Sequence, residues 1–214
     1  MKKNMCKCLL SLCLTVLLLL TSLFTLPACS PNPPDVELVY DRLVELIEKS
    51  HEVNVVMFGC GLPVYARGSD EDKLIHRYYG VVEDGREFVS EYAKFENIDD
   101  IKTAARQVYS EDYCNSIFES LFTGYASEGI SGSILPARYS EDEKWVYQNS
   151  HVDPLVTGTR VYDYASMKIV SPSSSNMIKV EINSYAEDHP EEWVTVDLSF
   201  VYENGNWYLD GPSC

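Results

Sequence analysis

Residues 194–209 read VTVDLSFVYENGNWYL, and the fold class follows from this stretch. Apolar and polar side chains alternate along its first seven positions, which is the period of a β-strand with one buried face. Asn204-Gly205 then forms the strongest signal in the chain for a two-residue type I′ turn, so the strand is predicted to fold back as a hairpin. The expected register places two pairs on one face, Tyr202 with Trp207 and Phe200 with Leu209.

The chain before this hairpin divides into a helical half and a strand half. From Asp35 to about Ser50 apolar residues recur at helical spacing. Asn97 and Ser110 are predicted N-caps of two further helices, because acidic residues follow each of them. Beyond residue 130 the period changes to two. Together these patterns predict an α+β fold, in which the N-terminal helix and the short helices pack on a curved antiparallel sheet to form a cone-like domain.

Some segments give less direct signals. Residues 52–66 fit either a longer helix or a strand. Arg77 to Val82 is predicted to be a short strand, and residues 171–176, which read SPSSSN, are predicted to form a loop. Ile134 to Tyr139 and Trp145 to Gln148 are predicted to pair as a hairpin.

The N-terminus predicts an exported, membrane-anchored protein. Residues 1–28 contain three lysines, no acid and a long apolar run, and Ala28 precedes Cys29. Leu26-Pro27-Ala28-Cys29 resembles the bacterial lipoprotein box, which implies a signal peptide over residues 1–28 and lipidation, including palmitate, at Cys29. Residues 29–34 would then be a Pro-rich tether, and residues 35–214 a single domain on the extracytoplasmic face of the cell membrane. An ordinary secretory signal and an uncleaved anchor are the alternatives.

The charge excludes some classes of partner. The formal net charge is −16, and without the lysines of residues 1–28 the remaining 186 residues carry 14 basic and 33 acidic side chains, a net of −19. Nucleic acid and anionic membrane surfaces both require clustered cations. We therefore expect membrane contact through lipid only and no nucleic acid, and the acidity serves either solubility or the binding of a basic envelope protein, such as a cell-wall hydrolase.

Cysteine and histidine provide one candidate nucleophile. Cys60 lies between two glycines, and Cys60, Cys114 and Cys214 leave three possible disulfide pairings open. Catalysis by Cys60 would need one of the four histidines, His51, His76, His151 or His189. A structural role for Cys60 is favoured. Because the chain also lacks a phosphate loop, a dinucleotide fingerprint and zinc or calcium motifs, we expect no enzyme activity, cofactor or metal.

Six residues are candidates for binding. Glu141, Asp142 and Glu143 could form an acidic docking surface or simply a solvated loop, as could the acids of residues 187–192. Asp163 could line a pocket, unless a bulge turns it outward. Tyr162 and Tyr164 could be interface anchors or ordinary strand residues.

Two resemblances extend these predictions. The order of elements and the closing hairpin at Tyr202 to Leu209 resemble cystatin and nuclear-transport-factor-two-like cone-shaped domains. Residues 95–102 (FENIDDIK) and 108–113 (VYSEDY) resemble a pattern of the IseA-type DL-endopeptidase inhibitor family of Gram-positive bacteria. That resemblance implies a secreted, acidic, non-enzymatic protein that occupies the cleft of a cell-wall hydrolase. The alternative is a small-ligand-binding or enzymatic cone-shaped domain with a pocket near Asp163.

Overall fold

The computed structural model describes residues 36–79, 85–126, 134–156, 158–174 and 176–214. The predicted signal peptide, the lipidation site Cys29 and the tether lie outside these residues and stay predictions. Within the described ranges, no helix is both long enough and apolar enough to cross a bilayer.

Helices and antiparallel strands both contribute to the described part of the chain. The helices are α1 (Val36–Met57), α2 (Asp70–Tyr79), α3 (Ile98–Val108) and α4 (Glu111–Phe122). The strands are β1 (Arg86–Phe88), β2 (Tyr125–Ala126), β3 (Ile134–Leu135), β4 (Tyr139–Glu141), β5 (Val146–Asn149), β6 (Arg160–Ser174), β7 (Met177–Ala186), β8 (Val194–Glu203) and β9 (Asn206–Leu209). They form a four-stranded sheet in the order β6-β7-β8-β9, a three-stranded sheet in the order β1-β5-β4, and the pair β2-β3. The predicted α+β class is confirmed.

The closing hairpin has the predicted turn and register. Asn204 and Gly205 have φ angles of 50° and 86°, and a type I′ turn needs a positive φ at both positions. In the ladder between β8 and β9, Tyr202 faces Trp207 and Phe200 faces Leu209. The alternation of residues 194–200 and the turn signal at Asn204 and Gly205 therefore predict this hairpin correctly.

Helix α1 connects two hydrophobic cores. Its side chains Leu43, Leu46 and Ile47 are fully buried in the cluster that includes Val180 and Phe200 of the four-stranded sheet. Further along α1, Val56 belongs to a second cluster with Ile101 of α3 and Tyr139 of β4. The ambiguous segment 52–66 is thus resolved: the helix continues to Met57, because its last turns also have apolar surface to bury.

Helices α3 and α4 begin at the predicted caps. Asn97 Oδ1 accepts a hydrogen bond of 2.8 Å from the N–H of Asp100, and Ser110 Oγ accepts one of 3.1 Å from the N–H of Tyr113. Each side chain satisfies one of the free donors of a first helical turn. Gly124, just beyond α4, has a φ of 74°, the left-handed conformation that commonly ends a helix.

Helix α2 overlaps the strand that the sequence predicted for Arg77 to Val82. The strand prediction is wrong at residues 77–79, which are helical, while residues 80–84 lie outside the described ranges. Ser69 Oγ accepts a hydrogen bond of 3.1 Å from the N–H of Asp72, and acids occupy the first turn. Ser69 is therefore an N-cap, and its acidic neighbours suit the positive end of the helix dipole.

Two strand boundaries also differ from prediction. The segment predicted as a loop after residue 170 continues as strand up to Ser174, which faces Met177 across the hairpin. In the hairpin around the acidic turn, Tyr139 does face Gln148, but Ile134 and Leu135 pair with β2 instead. Local composition favours loops at serine and proline, whereas pairing with a neighbouring strand determines whether the backbone is extended.

Candidate functional site

The predicted acidic turn lies against the first turn of α3. Glu141 Oε2 accepts a hydrogen bond of 2.9 Å from the N–H of Ile98. Asp142 accepts from the hydroxyl of Tyr147 at 2.6 Å and from two backbone N–H groups of its own turn, and the bond from Tyr147 is the main cause of its lowered pKa. All three predicted docking acids are exposed, and two of them, Glu141 and Asp142, also hold the turn in place.

Other exposed acids surround this turn. We call the group the acidic end; its members are Glu91, Glu96, Asp99, Asp100, Glu141, Asp142 and Glu143. Glu91 and Glu96 line one shallow groove together with Lys144 and Trp145. Tyr92, which follows Glu91, has 84% of its surface exposed. The acidic end therefore combines several carboxylates with one prominent aromatic side chain.

A large bulge in β6 determines where Asp163 and its neighbours point. Asp163 pairs with Asn183 and Lys168 pairs with Glu181, so five steps along β6 match two along β7. An odd number of extra residues reverses the alternation beyond the bulge. Alternation along an unbroken strand would place Asp163 on the same face as Met167, and the bulge removes this relation.

The tyrosines on either side of Asp163 face the protein interior. Tyr162 is buried, its hydroxyl donates to the backbone oxygen of Ser213 at 2.5 Å, and its ring stacks on Tyr164 with centroids 6.4 Å apart. Tyr164 is itself partly buried against the core. Tyr162 is therefore a core residue, and the hypothesis that it anchors an interface is wrong. The cavity at the C-terminal half of α1 is lined by Arg160 and not by Asp163.

A cavity of about 260 Å³ lies beside the C-terminal half of α1. Its apolar walls include Val55, Pro154 and Val156, and its polar groups include His51, Cys60 and Arg160. The structure thus brings Cys60 and one of the four candidate histidines to the same recess. No hydrogen bond joins Cys60 to His51 within the described residues, so the cavity does not contain a preformed nucleophile and base pair.

The turn that carries Cys60 is held from one side by Arg138 and Gln148. Buried Arg138 donates to the carbonyl oxygens of Val56 and Gly59, at the negatively polarised end of α1. Gln148 accepts from the N–H of Leu62 at 2.8 Å and donates to the carbonyl of Cys60 at 3.1 Å. These contacts fix the backbone around Cys60 and leave its thiol exposed.

One carbonyl group holds the opposite side of the cavity. The oxygen of Phe58 accepts hydrogen bonds from the N–H groups of Leu155 and Val156, at 2.8 and 3.0 Å. The loop leading to β6 is therefore tied to the end of α1. Both rims of the cavity depend on backbone groups between residues 58 and 62.

His51 and Arg160 are two cavity residues with unused hydrogen-bonding capacity. His51 Nε2 is buried without a hydrogen-bond partner, and its ring stacks on Tyr162 with centroids 6.0 Å apart. Burial lowers the pKa of His51, against an opposing effect of Glu48, so the imidazole is neutral at pH 7. Arg160 donates to Ser184 Oγ at 3.0 Å and has no carboxylate within 4.0 Å among the described residues.

A second polar group, which we call the closed cluster, lies on the neighbouring face of α1. Its members are Ser50, Asn54, Tyr109, Tyr162 and Ser213, all buried. Asn54 donates to Ser213 Oγ at 2.9 Å and accepts from the hydroxyl of Tyr109, and Ser50 bonds to Ser213 at 2.5 Å. Burial raises the pKa of the Tyr109 hydroxyl, which stays neutral. This cluster has the paired donors and acceptors expected of a structural network.

The three cysteines of the described residues are all free. Cys60 is exposed, Cys214 is partly buried, and Cys114 is fully buried with its thiol directed at the carbonyl of Tyr109, 3.8 Å away. None of the three disulfide pairings left open by the sequence is formed. Burial raises the pKa of the Cys114 thiol to about 11, as expected for a small core residue.

One group of side chains among the described residues has the spacing of a metal site. Single ligand atoms of His189, Glu191 and Glu192 lie within 4.8 Å of one another. All three side chains are exposed, and His189 also lies 3.7 Å from Asp188. Such a solvated acidic turn is common without an ion, so the spacing alone assigns no metal.

The cavity itself was missed by sequence reasoning. Cys60 and His51 were identified singly, but their meeting with Arg160 depends on the packing of β6 against the end of α1. The lowered pKa of His51 and the lack of a nearby carboxylate at Arg160 among the described residues depend on tertiary packing, so no sequence pattern indicates them. Comparison with known proteins gives no match, either to a family model or to a curated protein.

Proposed function

We propose that the protein is a lipid-anchored, extracytoplasmic binding protein that docks a basic partner through the acidic end. The observation that carries this proposal is the exposed Tyr92 beside a group of exposed carboxylates. Aromatic side chains dominate the energetics of many interfaces, and surrounding charges select the partner and accelerate encounter. The role is one of binding rather than catalysis.

The charges near the acidic end support this choice. Lys94 is paired with Glu52 at 2.5 Å and Lys102 lies 3.7 Å from Asp99, so both lysines already have carboxylate partners. The seven carboxylates of the acidic end outnumber the nearby lysines Lys94, Lys102 and Lys144, so the local charge is negative, in agreement with the net charge of −16. A basic cleft or patch is the surface that complements it.

The proposed partner class is a cell-wall DL-endopeptidase. The resemblance of residues 95–102 and 108–113 to IseA-type inhibitors motivates this choice, and the lipoprotein box at Cys29 would place the protein at the membrane surface facing the wall. The two segments also contain the caps Asn97 and Ser110, so part of the shared pattern is a requirement for starting helices. The partner class therefore needs a direct test.

The test measures binding and inhibition with purified full-length protein and a panel of cell-wall DL-endopeptidases. We expect binding at low ionic strength that weakens at about 0.5 M salt, because exposed charges are screened over a few ångströms. The triple variant Glu91→Gln, Glu96→Gln, Glu143→Gln should bind the endopeptidase about tenfold more weakly. Adding Tyr92→Ala to this variant should lower the affinity further.

The matched control neutralises three exposed acids elsewhere, with Glu187→Gln, Glu191→Gln and Glu192→Gln. These residues belong to a turn that is tied to Thr159 through the N–H of Glu187 at 2.9 Å, rather than to α3. The control changes net charge by the same amount and should leave affinity nearly unchanged. Equal losses in both triple variants, or no binding to any endopeptidase at low salt, would refute the proposal.

A further inference from the structure

The cavity beside α1 contains a cation, Arg160, that has no carboxylate within 4.0 Å among the residues that the structure describes. Arg160 uses one of its five N–H donors on Ser184 Oγ. Elsewhere in this acidic chain several cations are paired, as in Arg42 with Glu45 at 2.9 Å and Lys179 with Asp197 at 2.7 Å. At the wall of a recess, the guanidinium of Arg160 can therefore donate its remaining N–H groups to the carboxylate of a ligand.

The remaining walls determine what else the ligand must have. Val55, Pro154 and Val156 provide apolar surface, so the body of the ligand should be apolar. His51 adds a neutral imidazole to the wall, so the cavity offers a polar ring without a second positive charge. The volume of about 260 Å³ corresponds to about nine water-sized groups.

We propose that this cavity binds a small organic carboxylic acid, with its carboxylate on Arg160 and its apolar body between Val55 and Val156. A phosphate or a larger polyanion fits less well, because the walls supply one cation and much apolar surface. The site shares no residue with the acidic end, so it is independent of the proposed docking function. The net negative charge of the protein does not prevent a carboxylate from binding, because at physiological salt the repulsion is screened within about 8 Å. The attraction to Arg160 acts at direct contact and is screened much less.

The experiment compares hexanoate with hexanamide, its neutral counterpart, by calorimetry and ligand-observed NMR on the full chain. We expect hexanoate to bind with a dissociation constant of about 1 mM and hexanamide to bind about tenfold more weakly. Arg160→Gln should reduce hexanoate affinity to the level of hexanamide. Val55→Phe, which fills the recess, should weaken binding of both compounds.

The matched control is Arg106→Gln. The guanidinium of Arg106 lies over the ring of Phe118, 5.2 Å from its centroid. Replacing Arg106 by Gln changes the net charge by the same amount as Arg160→Gln. Unchanged hexanoate binding in this variant supports the proposal. The variants that bind weakly should also keep the urea midpoint of the original protein, because an unchanged midpoint shows that they are still folded. The proposal is overturned if hexanoate does not bind at about 10 mM, if hexanamide binds equally well, or if Arg106→Gln loses as much affinity as Arg160→Gln.

Discussion

Two polar regions flank α1, and they differ in how completely their hydrogen bonds are satisfied. In the closed cluster, Asn54 joins Tyr109 and Ser213 in a network of paired donors and acceptors. At the cavity, and counting only the described part of the chain, His51 Nε2 is buried without a hydrogen-bond partner and Arg160 has no carboxylate within 4.0 Å. Asn54 contributes to both regions, since it also lines the cavity. The difference indicates that the first region maintains the fold, whereas the second retains binding capacity at some cost in stability.

The largest expected contrast between the regions is in thiol reactivity. Cys60 is exposed at the cavity, whereas Cys114 is buried beside Tyr109 of the closed cluster. With a pKa of about 11, only about one Cys114 in a thousand is thiolate at pH 8, and reagents also lack access to it. We expect Cys60 to be alkylated rapidly by iodoacetamide and Cys114 only after unfolding, as measured by mass spectrometry.

Cys60→Ser is the control, and it should remove the rapid phase of alkylation. If Cys114 reacted as fast as Cys60 in the native protein, the closed cluster would be open to solvent and the contrast would fail. Loss of partner binding on alkylation of Cys60 would contradict a purely structural role for this residue.

The second contrast is in stability. Asn54→Ala removes two side-chain hydrogen bonds and leaves the hydroxyls of Tyr109 and Ser213 buried without that partner. We expect a loss of about 3 kcal/mol in the free energy of unfolding, measured by urea denaturation. The control is Asn183→Ala, on an exposed hydrogen bond to Thr195, with a change within about 0.5 kcal/mol. Equal losses of unfolding free energy in the two variants would show that the closed cluster stabilises the protein no more than a surface hydrogen bond does.

The third prediction concerns the rim of the cavity. Gly61 has a φ of 88°, and a Cβ there would lie 2.0 Å from Gln148 Oε1. Gly61→Ala should therefore cost about 2 kcal/mol, from backbone strain and displacement of Gln148. Gly205 has a similar φ of 86° but no atom within 4 Å of such a Cβ, so Gly205→Ala isolates the strain at about 1 kcal/mol. Equal losses would mean that Gln148 does not hold the turn.

The smallest expected effect is the pH dependence due to His51. Its folded-state pKa is lowered by burial, so the unfolded chain binds the proton more readily. The stability due to neutral His51 is therefore present above the unfolded value near 6.5 and is lost as the pH falls through the folded-state pKa. His51→Gln should reduce the loss of stability between about pH 7.5 and pH 5.5. An unchanged loss would show that this histidine is solvated.

The parts that the sequence predicts correctly are those governed by near neighbours. The turn at Asn204 and Gly205 and the caps Asn97 and Ser110 depend on a few consecutive residues, and all of them are confirmed. The bulge after Asp163 depends on how β6 pairs with a distant segment, so alternation along the strand predicts the wrong face. Helix α2 was missed because its tyrosines favour strands locally, while Ser69 caps it.

The same limit applies to the candidate sites. Glu141, Asp142 and Glu143 were identified as an acidic group, but the bonds of Glu141 and Asp142 to backbone N–H groups require the positions of α3 and the turn. The cavity needs α1, a distant loop and β6 together. Composition and spacing cannot specify such a meeting, because residues 51 and 160 are brought together only by tertiary packing.

The carbonyl of Phe58 affects how far the sequence around the cavity can change during evolution. It fixes the loop at Leu155 and Val156 through main-chain atoms alone, so every residue type except proline at positions 155 and 156 preserves these bonds. A distant relative could replace all three side chains and retain the same recess. Kinship at this site would then be visible as a conserved path of the backbone, and alignments of residue identities would overlook it.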